Sequence, residues 1–171
     1  MRYFLILLAT VLISACSTTT ISDAFDDQRN ESLARKVIEQ VNPAISDAHI
    51  NLTSFNGIML VTGQVPSADL IPLITAEIAP LRNVRKVHNE LVVAGNTSLI
   101  SRTNDSWLTT KVKSALGSNP DIDAGRIKVV TENEVIYLMG HVSRAEADLA
   151  VETTRNVQGI QKIVKLFEYM N

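Results

Sequence analysis

Trp107 and Lys111, four residues apart, are the pair whose chemistry most suggests a binding site. Residues three, four and seven apart share one face of a helix, so Thr110 and Ser114 would lie beside them. An indole at headgroup depth and an ammonium that meets phosphate are typical of a membrane interface. The pattern therefore predicts that Trp107, Thr110, Lys111 and Ser114 bind an anionic phospholipid membrane.

Cys16, the one cysteine of the chain, ends a segment that resembles the bacterial lipobox. The apolar run from Phe4 to Ile13 is too short for a transmembrane helix and fits a secretory signal. The resemblance predicts a signal peptide at 1–15, a diacylglycerol and an N-acyl chain on Cys16, and a tether at 16–25. No other cofactor is expected. Ser17, rather than aspartate, follows the cysteine, which implies the periplasmic face of the outer membrane. The alternative is an ordinary signal peptide with a chance cysteine.

An internal repeat determines the domain organisation. Residues 50–65 and 127–142 align without a gap at a spacing of 77 residues, and each copy reads as strand, tight turn, strand and glycine. Asn56-Gly57 is a strong hairpin turn because both residues tolerate positive φ. The second strand of each copy is apolar on both faces, which predicts that both faces are covered. The glycine near the end of each copy is predicted to mark a bulge or a close approach of the backbone.

The same repeat predicts that Trp107 is exposed. Aligning Leu33 with Leu108 on the preceding helices places Ser32 opposite Trp107. A position that holds serine in one copy is not a required core position. The alternative is that Trp107 packs on the linker or against the first unit.

Helices flank each hairpin and give both halves the order α-β-β-α-β. Residues 26–27 are predicted to begin the first helix, where carboxylates favour the helix dipole. Pro72 is predicted to remove one hydrogen bond from the second helix or to shorten it. In the second half, residues 104–106 offer three caps before Trp107, and Ser143 with Glu146 reads as a capping box.

Two helices can cover one face of a three-stranded mixed sheet. The sequence therefore predicts an α+β fold of two tandem α-β-β-α-β domains at 26–94 and 104–171. A short polar linker at 95–103 joins them.

Composition and motif spacing exclude several functions. The 171 residues are 46% apolar and carry a net charge of −2, which argues against a nucleic-acid binder. His49, His88 and His141 match no metal motif, so no metal site is predicted. No serine or threonine stands in a nucleophile motif, so no enzyme is predicted. Glu132 and Glu134, beside the second hairpin turn, are interpreted as solvated charge.

The duplicated unit resembles the BON domain of bacterial envelope and osmotic-stress proteins. The resemblance is carried by Gly63 and Gly140 and by the segments 104–114 (NDSWLTTKVKS) and 131–140 (TENEVIYLMG). With the lipobox, nearly the whole chain resembles the dual BON-domain outer-membrane lipoproteins. That resemblance implies a non-catalytic protein that binds anionic phospholipid through its second domain and supports outer-membrane integrity.

A second interpretation is a periplasmic protein-interaction adaptor in outer-membrane protein assembly or quality control. Trp107 would then be a binding hot spot, and the partner would be the assembly machinery. An enzyme would need a convergent polar cluster that the sequence does not contain.

Overall fold

The computed structural model describes residues 21–41, 45, 48–95 and 98–170. Within them, both halves of the chain have the predicted order α-β-β-α-β. The elements of the first half are α1 (Ile21–Val41), β1 (His49–Phe55), β2 (Ile58–Val65), α2 (Leu70–Ile78) and β3 (Lys86–Val93). Those of the second half are α3 (Leu99–Gly117), a short 3-10 helix (Ala124–Arg126), β4 (Ile127–Glu132), β5 (Val135–Val142), α4 (Arg144–Arg155) and β6 (Lys162–Tyr169). The predicted signal peptide and Cys16 lie outside the described residues.

Each half forms one three-stranded mixed sheet, as predicted. The middle strand pairs antiparallel with the strand before it and parallel with the strand after it. The first hairpin turns at Asn56 and Gly57, with φ of 51° and 73°. The second turns at Asn133 and Glu134, with φ of 47° and 63°. Positive φ at both central residues matches the twist of the flanking strands, so the predicted hairpin is confirmed.

The glycine near the end of each repeat lies where another strand comes close. A Cβ on Gly63 would lie 1.9 Å from the carbonyl oxygen of His49, and Gly63 has a φ of +119°. A Cβ on Gly140 would lie 2.6 Å from the carbonyl oxygen of Arg126. The predicted close approach of the backbone is confirmed at both positions.

The first helix of each half begins about one turn or more before its predicted start. α1 begins at Ile21, within the predicted tether, and α3 begins at Leu99. The cap of α3 is Ser98, whose hydroxyl accepts a hydrogen bond of 3.2 Å from the amide of Ser101. The caps predicted at 104–106 are therefore wrong, because an earlier cap is available and no helix breaker stands between the two places.

One buried aspartate on the first helix of each half holds the hairpin turn of that half. Asp27 accepts hydrogen bonds from the amides of Asn56 and Gly57 at 2.7 and 3.0 Å. Asp105 accepts from the two turn amides of the second hairpin at 2.8 and 2.9 Å. The prediction that Asp27 acts at the start of the helix is wrong, because α1 begins six residues earlier and Asp27 points to the turn.

These two aspartates define the register between the first helices. Each aspartate is the first of a row of buried residues along its helix. The rows are Asp27, Asn30, Ala34 and Ile38 in α1, and Asp105, Leu108, Val112 and Leu116 in α3. Trp107 therefore corresponds to Arg29, and the alignment of Leu33 with Leu108 is wrong. The apolar spacing misleads because the buried face of α1 begins with polar residues, which meet the hairpin instead of apolar partners.

The second helices differ because of one proline. α2 begins at Leu70, so Pro72 lies in its first turn, where the amide has no partner within the helix. The helix is thus shortened, one of the two predicted effects. The longer α4 is capped by Ser143, whose hydroxyl accepts from the amide of Glu146 at 3.1 Å. The carboxylate of Glu146 accepts from the amide of Asp123 at 2.9 Å, which is not the partner that the predicted capping box requires.

The two sheets pack face to face. A buried cluster joins Ile58 and Leu60 of the first sheet to Tyr137, Met139 and Leu166 of the second. The opposite face of each sheet packs on its own two helices, giving four layers of helices, sheet, sheet and helices. This arrangement confirms that the middle strands are covered on both faces. Burial in the cluster raises the pKa of Tyr137 to about 12.

Polar side chains also join the two domains. Glu132 is 6% exposed, and its carboxylate accepts from the side-chain amides of Asn51 and Gln64 at 2.8 Å each. The interpretation of Glu132 as solvated charge is therefore wrong, because the end of the second hairpin lies against the first sheet. Arg85 donates to Glu168 at 3.0 Å, and this hydrogen bond holds the pKa of Glu168 below its usual range.

Candidate functional site

Trp107 lies on the exposed side of α3. Its side chain is 55% exposed, whereas Leu108, Val112 and Leu116 on the opposite side of the same helix are buried. The sheet-to-sheet packing places the helices of the first domain on the far side of the molecule. Trp107 is thus exposed, as predicted, and does not pack away against the first unit.

The four residues predicted to bind lipid share one face of α3. The Lys111 ammonium lies 4.0 Å from the centroid of the Trp107 ring, a cation–π contact that holds the charge over the indole. Thr110 and Ser114 are exposed on either side. The Thr110 hydroxyl donates to the carbonyl of Ser106 at 3.0 Å and retains its lone pairs for a donor outside the helix.

Ile100 extends this face and was not among the predicted site residues. It lies seven residues, or about 10 Å, before Trp107 on the same side of α3, and it is 83% exposed. The prediction missed it because residues 95–103 were interpreted as linker, in which Ile100 has no defined face. Ser98, a good capping residue just before Leu99, is the sequence signal that could have found it. We call Ile100, Trp107, Thr110, Lys111 and Ser114 the α3 face.

The buried side of α3 fixes the orientation of the α3 face. Asp105 binds the second hairpin turn. The hydroxyl oxygens of Thr109 and of Thr131 in β4 lie 2.6 Å apart and form a hydrogen bond. Asn104 donates to the carboxylate of Glu134 at 3.0 Å. The exposed apolar side chains are therefore presented on a helix that is held along its length.

Two of the three histidines are partly buried within the fold. Nε2 of His49 lies 3.7 Å from Glu132 inside the domain interface, and burial lowers the pKa of His88. Among the described residues, no three histidine, cysteine, aspartate or glutamate side chains are placed to hold a metal ion. No helix in the described part of the chain is long and apolar enough to span a membrane.

The comparisons with known proteins agree with this architecture. The family model described as BON domain matches residues 26–95 and 104–171. Each match contains one hairpin, its closing glycine, the helix that follows and most of the helix that precedes it.

Among the curated proteins that are similar in sequence are the following three. The outer membrane lipoprotein DolP of Haemophilus influenzae is 31% identical over 92% of this chain and 81% of its own length. A 21 kDa hemolysin of Actinobacillus pleuropneumoniae is 35% identical over 72% of this chain and 64% of its own length. The osmotically-inducible protein Y of Escherichia coli is 38% identical over 35% of this chain and 30% of its own length.

Proposed function

Because this chain belongs to the BON-domain family, we propose that it is an outer-membrane lipoprotein whose second domain binds anionic phospholipid. The α3 face makes the contact, and Cys16 carries the lipid anchor at the periplasmic face of the outer membrane. The protein has no catalytic role and supports outer-membrane integrity through this contact. The similarity to an outer membrane lipoprotein over 92% of the chain supports the compartment.

The main support for this function is a pair of exposed apolar side chains beside the Lys111 ammonium, which the Trp107 ring holds in place. Ile100 and Trp107 are 83% and 55% exposed, two turns apart on one helix. A lipid bilayer can bury both at once, since one helix face lies flat on the headgroup boundary. Lys111, 4.0 Å from the indole centroid, then meets the phosphates just above.

The expected affinity of the α3 face alone is modest. Burying two large apolar side chains contributes about 1.5 to 3 kcal/mol each, and one lysine near an anionic surface about 1 kcal/mol. The gross gain of roughly 4 to 7 kcal/mol is that of a weak complex. An anchor at Cys16 would hold the whole protein at the membrane and so raise the local concentration of the α3 face.

Photocrosslinking from position 110 distinguishes a lipid site from a protein site. Thr110 is exposed and bonds only within its own helix, so a photoreactive phenylalanine derivative there leaves Trp107 and Lys111 in place. We expect phospholipid adducts in cells. The same photoreactive derivative at position 36, on the exposed side of α1, should give few lipid adducts. One specific protein adduct without lipid adducts would instead support the adaptor in outer-membrane assembly.

The anchor is tested separately, because Cys16 lies outside the described residues. We expect Cys16→Ser to abolish incorporation of labelled fatty acid, since lipidation needs a cysteine thiol and the chain has one cysteine. The measurement is metabolic labelling with a tagged fatty acid, with Ser17→Ala as the control. Labelling of the Cys16→Ser protein at the level of the control would contradict the anchor.

A further inference from the structure

A shallow cavity with a cationic rim lies between the end of α4 and the edge strand β6. Its volume is about 290 Å³. The floor contains Val151, Ile160 and Ile163, and the rim contains Arg155, Lys162 and Lys165. We call it the α4–β6 cavity. Its apolar floor and positive rim match the glycerol and phosphate parts of a phospholipid head group.

The positive charges of the rim are open to an external anion. Within the described part of the chain, the ammonium groups of Lys162 and Lys165 form no ion pair or side-chain hydrogen bond. Arg155 meets Glu152 at 3.4 Å, but both side chains are more than 60% exposed, so water screens this pair. The three cations exceed the two nearby carboxylates, Glu152 and the Glu134 that bonds the lining residue Gln161, by a net charge of about +1.

The first domain provides an internal comparison. α2 ends at Ile78 where α4 ends at Arg155, and Asn89 takes the strand position of Lys165. The side-chain amide of Asn89 donates to Ile71 and Thr75 of α2 at 2.8 Å each, so that position is satisfied internally. The second domain has cations at both positions, one of them without an internal partner. Lys86 takes the strand position of Lys162, so the rim cations that the fold does not require are Arg155 and Lys165.

The α4–β6 cavity lies close to the first half of α3, the helix that carries the α3 face. The carboxylate of Glu134 accepts from Asn104 of α3 at 3.0 Å and from Gln161, next to Lys162, at 2.6 Å. The turn before β6 also touches α3, since a Cβ on Gly159 would lie 3.2 Å from Leu108. A membrane that takes up the side chains of the α3 face would therefore lie close to the cavity, because both are at the same end of the second domain.

We propose that the α4–β6 cavity binds the phosphate of an anionic phospholipid head group while the α3 face enters the membrane. The inference rests on the proposed function and assigns the recognition of the anionic head group to this cavity. Arg155 offers a planar fork to the phosphate oxygens, and Lys162 and Lys165 add two point charges. Lys111 alone would supply only one cation to the membrane.

Neutralising the rim tests the proposal. The protein is the chain from residue 16 with Cys16→Ser, which keeps every described element, and the probe is vesicles of phosphatidylcholine with phosphatidylglycerol. We expect Arg155→Gln/Lys162→Gln/Lys165→Gln to weaken binding at least tenfold, since each cation near an anionic surface contributes about fivefold. The salt dependence of binding should also become shallower.

The matched control, Arg29→Gln/Lys36→Gln/Arg82→Gln, removes three exposed charges from the first domain. We expect it to bind within about threefold of the parent protein, because only long-range attraction is lost. A rim variant that binds like the parent or like this control would overturn the proposal. If Trp107→Glu abolishes binding in the same assay, the proposed function stands although the cavity does not take part. If the parent protein does not bind these vesicles, the proposed function itself fails.

Discussion

Trp107→Glu is expected to reduce binding to anionic vesicles by about a hundredfold. The change removes about 2 to 3 kcal/mol of apolar burial and places a carboxylate against a negative surface. It also removes the ring that holds the Lys111 ammonium at 4.0 Å. Because Trp107 is 55% exposed and outside the core, thermal unfolding should change little. Co-sedimentation with phosphatidylglycerol vesicles and a melting curve measure the two effects.

Phe25→Glu is the matched control for this experiment. Phe25 is 67% exposed and lies on α1 of the first domain, so the substitution makes a similar chemical change outside the α3 face. We expect it to keep most of the binding. Equal losses from the two variants would show that binding depends on overall charge or general hydrophobicity, and would contradict a specific site on α3.

Gly63→Ala is expected to have the largest effect on stability, about 3 kcal/mol or more. The added methyl would lie 1.9 Å from the carbonyl oxygen of His49, and a backbone φ of +119° disfavours any side chain. β2 cannot move away from this contact, since it is the middle strand and Gly63 pairs with both neighbouring strands. Urea denaturation followed by far-UV circular dichroism measures the change.

Two other glycines calibrate the measurement. Gly140→Ala should cost less, because its Cβ would lie 2.6 Å from the Arg126 carbonyl and no positive φ adds to the strain. Gly117→Ala should leave the free energy of unfolding unchanged or slightly raised, since nothing lies within 4 Å and the residue ends a helix. A Gly63→Ala protein as stable as Gly117→Ala would contradict the close strand approach.

The sequence predicted the fold well because its signals are local and occur twice. The Asn56-Gly57 turn, the strand that follows it and the closing glycine each depend on backbone geometry that few residues provide. Pro72 could be interpreted for the same reason, since a proline is tolerated only in the first turn of a helix and so limits how early α2 can begin. Two copies of the hairpin and of its closing glycine fixed the spacing of the repeat without any knowledge of tertiary contacts.

The prediction failed where a side chain has a distant partner. Asp27 reads as a helix-start residue but binds a turn about 30 residues later, at 2.7 and 3.0 Å from its amides. Glu132 reads as a turn charge but lies buried against the other domain. An alignment of Asp27 with Asp105 would have given the correct helix register. Nothing local marks Glu132, because its partners Asn51 and Gln64 belong to the first domain.

The α3 face was predicted in part. The spacing of Trp107, Thr110, Lys111 and Ser114 is a helical pattern, so it could be found without the structure. The exposure of Trp107 was inferred from a wrong register, and it nevertheless agrees with the correct one because Arg29 is also exposed. Ile100 was missed because the start of α3 depends on a single cap at Ser98.

Fluorescence of Trp107 in the presence of vesicles shows whether the α3 face enters the membrane. Trp107 is the only tryptophan in the chain, so the emission of the protein reports on this one side chain. With vesicles of phosphatidylglycerol brominated near the top of the acyl chains, we expect emission at shorter wavelength and strong quenching by bromine. Emission that keeps its wavelength and intensity, while sedimentation shows the protein bound to the same vesicles, would contradict insertion of the α3 face.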